Sequence, residues 1–469
     1  MRVQTENSAG SPEISRLPEV GYWNDTVGEQ WNIPNPFVFL DGSPVGTPAK
    51  WLSRYNEIKE ILQFYEYGYL PEKPDSISYS YEDFSWEKFA FKQNTQGGWI
   101  RAKASDEITK GLVINFTKGN KKASMRVGVY LPSESCGYSP PYPALICLNT
   151  LYDFIHTQLL LDAGYAVLCM NVNDVYNEVT RTGAINDLYH YDWEKDLDAP
   201  SSLLGWAWGA GRIIDAIEQG AYEGIISKNQ FAVTGHSRYG KGTLVTGAFE
   251  PRIGVVNPMA SGSGGVAIER FISSVLKAVY FLKDDRVVLP HDEFDTIHVL
   301  GDSEGSTPRM QTLAHAREEQ PSWFNRRFLE FAEHRRDLRI DDVSHGVLPT
   351  IPFDQHFATS LVAPRGLLIS GGIQDYWTNP EGMAFNYLVT GEVYQFLGIK
   401  DKIGIKFYNL GHGDLYHSPQ PIGDLIKFSD RIFRNLTHNS TDFHLYPYPL
   451  KDKRSDYDYL KLNWAAPKS

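Results

Sequence analysis

The sequence predicts an α/β fold with a mostly parallel, doubly wound sheet. From residue 143 onward, short apolar runs that suit buried strands alternate with segments of helical periodicity. One of these runs, residues 230–234, leads directly into a glycine-rich turn and a second helical pattern. No internal repeat interrupts the alternation. These observations favour one large domain over a set of small modules.

Composition indicates a sizeable core and excludes several classes of partner. The 469 residues are 42% hydrophobic and 13% aromatic, and the formal net charge is −12. An acidic chain without a basic cluster is not expected to bind nucleic acid. No apolar run reaches the length of a membrane span, so no membrane partner is expected. The many aromatic side chains suit either a core or a surface that stacks on sugar rings.

Three cysteines are too few for a disulfide framework, and their spacing does not suit a metal site. Cys147 and Cys169 lie in apolar runs that predict adjacent strands, so we expect buried thiols, with a single bridge as the alternative. No phosphate-cradling loop is present either. The sequence therefore predicts neither a metal nor a cofactor.

The amino-terminal part predicts an extension, residues 1–105. Residues 1–32 have little periodicity and are expected to form an arm. A helix is predicted from about Pro48 to Tyr67, with apolar side chains at helical spacing on one face: Ile58, Ile61, Leu62 and Tyr65. This face is expected to pack on the main sheet, although another chain is an alternative partner.

Residues 106–445 predict the main domain, followed by a carboxyl-terminal tail over 446–469. Residues 111–132 predict a hairpin that turns near Gly119. The later strands are predicted at 143–150, 165–172, 230–234, 252–260, 363–372 and 402–410, with helices at 153–164, 203–219, 243–249 and 389–399. Residues 262–360 lack this rhythm, and we expect an insertion there that acts as a lid or shapes a substrate site.

The turn after residues 230–234 has the pattern of a nucleophile elbow. It reads GHSRYGKG over 235–242, with Ser237 at the corner between strand and helix. Such a corner is typical of the α/β-hydrolase fold, a three-layer sandwich in which the serine oxygen stands clear of the backbone. The second glycine of the G-x-S-x-G consensus comes one residue late, at Gly240. An ordinary strand–helix turn with a capping serine is the alternative.

The remaining members of a catalytic triad follow in the order that this fold requires. Asp375 comes after the predicted strand at 363–372, and His412 comes after the predicted strand at 402–410. In a serine hydrolase, His412 would take the Ser237 proton and Asp375 would hold the imidazole. The chain also offers rival acids and bases, namely Asp354, Glu269, His356 and His417.

Three further side chains lie close to these positions. Arg238 directly follows the nucleophile and could neutralise an oxyanion, or it could pair with a buried carboxylate. Lys241 opens the elbow helix and could bind sugar hydroxyls, or it could be a solvated lysine. Trp377 lies two residues beyond Asp375 and could stack on a substrate at the rim or simply pack.

Over most of its length the chain resembles the glucuronoyl esterases, α/β-hydrolases that cleave esters between glucuronate on xylan and lignin alcohols. The segments that carry this resemblance include FVFLDGSPV, EIKEILQFYEYGYLPEKP, GWAWGAGRIIDAIE, GHSRYGKG, SGSGG, PSWFN, FDQHFATSLVAPRGLLIS and GHGD. The Ser-Arg-x-Gly-Lys pattern at the elbow is the most specific of them.

The resemblance implies roles for individual residues. Ser237 would be the nucleophile, Arg238 would lie at the oxyanion and His412 would be the base. Four residues would hold the glucuronate: Lys241, Gln311, Glu319 and Trp377. Gln311 and Glu319 could instead belong to a solvated helix face within residues 310–320.

The sequence departs from the fungal members in three respects. Those enzymes carry the triad acid as Glu just before the Ser-Gly-x-Gly-Gly turn, where this chain has Ala260. The acid is therefore expected at Asp375, as in some bacterial members, with Asp354 as its rival. His236 also replaces the Cys that precedes the nucleophile in fungal members, and the cysteines that bridge those enzymes are missing.

The resemblance predicts a carboxylic ester hydrolase acting on glucuronate esters of plant cell walls. An acetylxylan-type esterase, a peptidase on the same fold and a catalytically weak carbohydrate-binding homologue are the alternatives. We expect a monomer whose partner is a glucuronoxylan–lignin ester. The polar start of the chain has no apolar signal core, so either the protein is cytosolic or a leader was removed. Four N-x-Ser/Thr triplets favour the second alternative and a secreted or periplasmic location.

Overall fold

The architecture comes from a computed structural model of the chain. It describes residues 17–19, 22, 32–83, 111–148, 156–270, 282–283, 286–287, 311, 320–333, 350–437, 443–445 and 464–467. Glu319, most of the predicted insertion and most of both terminal segments lie outside these described residues. Within them, no helix combines the length and the apolar character that crossing a bilayer requires.

The described residues contain twelve strands, ten of which form one sheet. In chain order the strands are β1 (Ser76–Glu82), β2 (Gly111–Lys118), β3 (Lys121–Tyr130), β4 (Tyr142–Leu148), β5 (Ala166–Met170), β6 (Ile226–His236), β7 (Ile253–Met259), β8 (Leu282–Lys283), β9 (Arg286–Val287), β10 (Gly366–Gly372), β11 (Ile403–Tyr408) and β12 (His444–Leu445). The sheet runs in the order β1-β2-β3-β5-β4-β6-β7-β10-β11-β12, while β8 and β9 form a separate antiparallel pair.

The sheet is parallel from β5 to β12 and antiparallel at the other end. The pairs β1/β2, β2/β3 and β3/β5 are antiparallel, and the remaining pairs run parallel. The predicted hairpin is β2–β3, in which Lys118 pairs with Lys121. Parallel neighbours need crossover segments, and the helices between the strands supply them.

The helices cover both faces of the sheet. They are α1 (Pro48–Leu62), α2 (Thr157–Asp162), α3 (Val172–Val175), α4 (Ala184–Tyr189), α5 (Ser202–Glu218), α6 (Arg238–Phe249), α7 (Arg326–Glu333), α8 (His356–Ser360), α9 (Pro380–Phe396), α10 (His412–His417) and α11 (Gln420–Phe433). A π-helical turn, Gln63–Tyr67, extends α1 to the end predicted from the sequence.

Two apolar layers on opposite faces of the sheet form the core. On β4, Ala144, Ile146 and Leu148 join the layer that contains α5 and α6 residues, whereas Leu145 and Cys147 join the layer beneath α2 and α11. A strand buried on both faces is typical of a sheet with helices on each side. These layers confirm the three-layer α/β fold predicted from the sequence.

The cysteine prediction is also confirmed. Cys147 and Cys169 are register partners on β4 and β5, and both are buried free thiols. Their burial raises the pKa of the Cys147 thiol well above its ordinary value.

The strand order brings the segments that follow four strands to one edge of the sheet. Strands β6, β7, β10 and β11 are consecutive neighbours and run parallel. Their carboxyl ends therefore meet at the same edge, where open α/β sheets bind ligands. Ser237, Ala260, Asp375 and His412 follow these four strands in turn.

Candidate active site

Ser237 occupies a strained corner between β6 and α6. Its φ of 57° and ψ of −122° lie in a region that residues with a side chain rarely adopt. The Ser237 N–H donates to Met259 O at 2.9 Å, which anchors the corner to the end of β7. The Ser237 side chain is half-buried, whereas residues 231–236 at the end of the preceding strand are buried. This is the geometry of a nucleophile elbow.

Two glycines allow the close packing around this corner. A Cβ added to Gly235 would meet Tyr239 O at 2.6 Å, and one added to Gly240 would meet Met259 O at 2.5 Å. Both distances are too short for a real carbon atom. The second glycine is therefore needed at Gly240, because there the elbow helix passes against the end of β7.

Asp375 and His412 form a direct hydrogen bond. His412 Nδ1 donates to Asp375 Oδ2 at 2.6 Å, and the Asp375 side chain is 1% exposed while that of His412 is 30% exposed. A carboxylate partner places the proton on Nδ1 and leaves Nε2 as the basic nitrogen. The pair is therefore arranged for proton transfer at Nε2.

His236 places this imidazole beside the elbow. The rings of His236 and His412 lie 4.4 Å apart between centroids, and His236 directly precedes Ser237. Burial, followed by the adjacent charge that His412 can carry, lowers the pKa of His236 well below its ordinary value. His236 is therefore a neutral neighbour of the His412 ring.

The position of the fungal acid carries no carboxylate. Ala260 directly follows β7 with a φ of 44°, is fully buried, and donates its N–H to Ser370 O at 2.8 Å. Among the described residues, Asp375 is the carboxylate that contacts His412.

Arg238 pairs with a carboxylate that the sequence analysis did not single out. Its Nη1 donates to Glu178 Oε1, and Trp323 Nε1 donates to the other oxygen, Oε2, at 2.6 Å. The Arg238 side chain remains 45% exposed, whereas that of Glu178 is 10% exposed. The ion pair with a largely buried carboxylate, which the sequence left open as an alternative role for Arg238, is therefore present. The Arg238 guanidinium still reaches solvent at the elbow.

Lys241 is buried rather than solvated. Its ammonium donates to Ser261 O and Ser263 O at 2.5 Å each and to Gln311 Oε1 at 2.8 Å, and the residue is 2% exposed. It also lies 5.2 Å from the centre of the Trp323 ring. Burial lowers the pKa of Lys241 to about 7. A sugar hydroxyl would reach this nitrogen only by replacing one of the three protein acceptors.

Gln311 and Trp377 belong to the same small assembly. The Gln311 N–H donates to Trp377 O at 2.9 Å, and Gln311 is buried while Trp377 is half-buried. The structure thus brings together Lys241, Gln311 and the loop that carries Asp375. The predicted role of Glu319 concerns a residue outside the described ranges.

The rival acids have structural partners. Asp354 pairs with the buried Arg270 at 2.9 Å and accepts from the Glu269 and Gln355 N–H groups. Glu269 accepts from Ser263 Oγ at 2.7 Å and from Gly264 N at 2.5 Å. Glu269 therefore braces the turn whose carbonyl groups accept from Lys241. Among the described residues, neither Asp354 nor Glu269 is hydrogen-bonded to His412.

The rival bases lie in other contacts. His356 is fully buried and its Nε2 donates to Pro34 O at 2.8 Å. His417 ends α10, and its carbonyl oxygen bonds to His156 Nε2 at 3.0 Å. Within the part of the chain that the structure describes, no group of three or more His, Cys, Asp or Glu side chains could hold a metal ion.

Sequence reasoning missed Glu178 and the role of Trp323. Glu178 lies in a loop after α3, and nothing in its sequence neighbourhood marks it as a partner of the elbow. Trp323 lies in the PSWFN segment that carried the family resemblance, which was the available signal.

Comparison with known proteins identifies the family. A family model described as "Glucuronyl esterase, fungi" matches residues 114–283 and 297–398. The 4-O-methyl-glucuronoyl methylesterase 1 of Wolfiporia cocos is 28% identical over 450 residues, which are 95% of this chain and 90% of that protein. The 4-O-methyl-glucuronoyl methylesterase of Hypocrea jecorina is 28% identical over 461 residues, covering 98% of this chain and 80% of that protein.

Solved structures agree with this assignment. The fold resembles a carbohydrate esterase family 15 glucuronoyl esterase from Caldicellulosiruptor kristjansonii with a TM-score of 0.68, at 30% identity, covering 89% of this chain and 94% of that one. A glucuronoyl esterase mutant from Sporotrichum thermophile, solved with methyl 4-O-methyl-β-D-glucopyranuronate, gives a TM-score of 0.64 at 23% identity and covers 92% of this chain and 97% of that one. The chain therefore belongs to the glucuronoyl esterase family and is a serine carboxylic ester hydrolase.

Proposed function

We propose that this chain cleaves glucuronate esters through a triad of Ser237, His412 and Asp375. The observation that carries the proposal is the 2.6 Å bond between His412 Nδ1 and buried Asp375, at the strand end beside the elbow. His412 Nε2 takes the proton of Ser237 as Oγ attacks the ester carbonyl. The alcohol then leaves with that proton, and an acyl-enzyme remains. Water activated by the same nitrogen releases glucuronate and restores Ser237.

Arg238 stabilises the oxyanion in this scheme. The negative charge that develops on the carbonyl oxygen forms next to the first turn of α6, where backbone N–H groups lack helical partners. The partly exposed Arg238 guanidinium adds a fixed positive charge at the same corner. Because the ester is neutral before attack, this charge favours the transition state more than the bound substrate.

The acyl side of the substrate binds next to Lys241. We assign the glucuronate hydroxyls to Lys241 and Gln311, with Trp377 at the rim and Glu319 as a further contact. The bond between the buried ammonium and Gln311 Oε1 places the two side chains in one polar subsite. A sugar hydroxyl would replace one of the three acceptors of Lys241 there.

The alcohol side is a lignin alcohol linked to glucuronoxylan, and the enzyme acts as a secreted or periplasmic monomer. The solved Sporotrichum thermophile relative holds a methyl ester of 4-O-methyl-glucuronate, which fits an acyl site that recognises the uronate and tolerates the alcohol.

Selectivity for the uronate tests the proposal. Turnover of benzyl glucuronate and of 4-nitrophenyl acetate is compared for the wild type and for Ser237→Ala. We expect kcat/KM to favour benzyl glucuronate and Ser237→Ala to lose both activities. A preference for the acetate would contradict the proposed substrate, and a failure of a fluorophosphonate to label Ser237 would contradict the mechanism.

A further inference from the structure

We propose that Glu178 is a positioning residue for Arg238 and limits the positive charge that Arg238 presents to the anionic product. The inference rests on the proposed function, because it takes Arg238 as the group that faces the developing oxyanion. Nothing in the sequence pattern or in the names of the relatives assigns a role to Glu178.

A rigid loop presents Glu178 to the elbow. Asn177 Oδ1 accepts the N–H groups of Val179 and Thr180 at 2.9 Å each, so a side chain closes the turn around Glu178. The Asn177 N–H donates to Thr182 O at 2.8 Å, which closes the base of the loop. The backbone of Glu178 is therefore fixed on both sides.

The carboxylate of Glu178 joins three segments of the chain. One oxygen accepts from Arg238 at the start of α6, and the other accepts from Trp323 Nε1 at 2.6 Å. The Glu178 carbonyl accepts from Ser322 Oγ at 2.5 Å. Because both carboxylate oxygens have donors, rotation of the Glu178 side chain would break a bond on each side. The carboxylate thereby holds Nη1 of the Arg238 guanidinium at the elbow.

The same network reaches the acyl subsite. The Trp323 ring lies 5.2 Å from Lys241 Nζ. The Glu178 carboxylate therefore holds two groups in place. One is the Arg238 guanidinium near the oxyanion, and the other is the Trp323 ring beside the Lys241 ammonium. Preorganised donors lose less free energy to reorganisation during the reaction than mobile ones do.

The pair also sets the charge that a ligand meets. The Glu178 side chain is 10% exposed and that of Arg238 is 45% exposed, so the carboxylate is less screened by water than the guanidinium. The substrate ester is neutral, whereas the product is a carboxylate. An unpaired Arg238 would retain this product more strongly, and Glu178 therefore favours its release.

The test combines a charge-removing variant with a double-mutant cycle. Glu178→Gln keeps an oxygen and a similar shape but loses the charge. We expect kcat on benzyl glucuronate to fall about 10- to 100-fold, with a much smaller change in KM, and the inhibition constant of free glucuronate to fall several-fold. In an Arg238→Ala background, Glu178→Gln should change neither quantity by more than about twofold, because Glu178 acts through Arg238.

Two control variants separate this role from a general loss of structure. Glu194→Gln removes a carboxylate that pairs with Arg181 and Arg326 instead, and we expect wild-type kinetics from it. Trp323→Phe removes only the second donor to Glu178, and we expect it to lower kcat less than Glu178→Gln does. If Glu178→Gln does not fold, Trp323→Phe in both Arg238 backgrounds provides the cycle.

Defined outcomes overturn the inference. A wild-type kcat and an unchanged glucuronate inhibition constant for Glu178→Gln would contradict it, and so would an equal loss in the Arg238→Ala background. The same cycle is run with 4-nitrophenyl acetate, whose hydrolysis also needs an oxyanion site. If benzyl glucuronate is not a substrate but the cycle holds for the acetate, the proposed substrate is wrong while the role of Glu178 stands.

Discussion

At the scale of single residues, Asp375 provides in the proposed triad the carboxylate that an acid directly after β7 could otherwise supply. Ala260 directly follows β7 and carries no carboxylate, whereas the neighbouring strand β10 leads to Asp375. Both strand ends lie at the same edge of the sheet as the end of β11, which leads to His412. The 2.6 Å bond identifies Asp375 as the partner in this structure.

His356 illustrates the opposite case, a buried histidine with a structural contact. Its Nε2 donates to Pro34 O, and its Nδ1 has no hydrogen-bond partner among the described residues. Burial lowers its pKa from 6.5 to about 4. In the folded protein, the His356 imidazole therefore stays neutral down to about pH 4.

The first prediction concerns the pH dependence that follows from His356. Below pH 6.5 His356 is protonated in the unfolded chain but stays neutral in the folded protein until about pH 4. The free energy of unfolding therefore falls as the pH drops from about 6.5 to 4. His356→Gln keeps an N–H donor for Pro34 and removes this titration. We expect the acid loss of stability to shrink by about 2–3 kcal/mol in urea unfolding at pH 7 and pH 4.5.

The kinetics of the same variant test whether the role of His356 is purely structural. Because we propose His412 and not His356 as the catalytic base, kcat on benzyl glucuronate at pH 7 should remain within about twofold of the wild type. An unchanged pH profile of stability, or a collapse of kcat in folded His356→Gln, would contradict this account.

At the scale of elements, the elbow depends on how closely α6 passes the end of β7. The close contact between Gly240 and Met259 O leaves no room for a side chain. Gly423 on α11 offers a matched contrast, because a Cβ there would meet no atom within 4 Å.

The second prediction compares alanine at these two helical glycines. Gly240→Ala should lower the free energy of unfolding by about 2–3 kcal/mol and reduce fluorophosphonate labelling of Ser237, since the corner must shift. Gly423→Ala should raise the free energy of unfolding by about 0.5–1 kcal/mol through helix propensity. Urea unfolding and labelling rates measure both effects. Equal behaviour of the two variants would show that the elbow tolerates displacement.

The elements that sequence reasoning found and missed differ in their patterns. The buried strands at β4, β5, β6, β7, β10 and β11 were predicted because each is a short apolar run bounded by turn residues. Helix α9 begins at Pro380, well before the predicted 389, because Asn379 caps it by accepting from Gly382 N–H. Helix α11 was not predicted, although its one apolar face packs on the second core layer.

At the scale of the whole molecule, the amino-terminal helix is part of the main core. All four predicted face residues are buried: Ile58, Ile61, Leu62 and Tyr65. Tyr55 on the same helix donates its hydroxyl to Ala248 O in α6 at 3.3 Å. Arg54 on the same helix lies 5.1 Å from the centre of the Phe357 ring in α8. Contacts within this chain therefore account for the burial.

The third prediction tests this docking with two positions on α1. Ile58 is fully buried, whereas Leu52 is 56% exposed. Ile58→Ala should lower the free energy of unfolding by about 2–4 kcal/mol, because it leaves a cavity, and Leu52→Ala should change it by less than about 0.5 kcal/mol. Chemical denaturation provides the values. A comparable, small effect of both substitutions would place α1 outside the cooperative core.

The site itself was only partly predictable from sequence. Chain order and strand ends predicted Ser237, Asp375 and His412 as candidates, because parallel topology brings the carboxyl ends of their strands to one edge of the sheet. The burial of Lys241 was not predictable from its place on a glycine-rich helix, since its three acceptors come from the distant positions 261, 263 and 311. The partner of Arg238 was hidden for the same reason, because Glu178 lies 60 residues away in sequence.

The most direct test of the account is the turnover of benzyl glucuronate by Asp375→Asn, with Asp354→Asn as its companion. We predict that Asp375→Asn folds normally and loses about 10³- to 10⁴-fold in kcat, because an amide cannot hold the His412 tautomer. Asp354→Asn should be less stable, since it leaves Arg270 without its buried partner, yet retain kcat per folded molecule. Near wild-type turnover by Asp375→Asn, or loss of turnover confined to folded Asp354→Asn, would contradict the assignment of the triad.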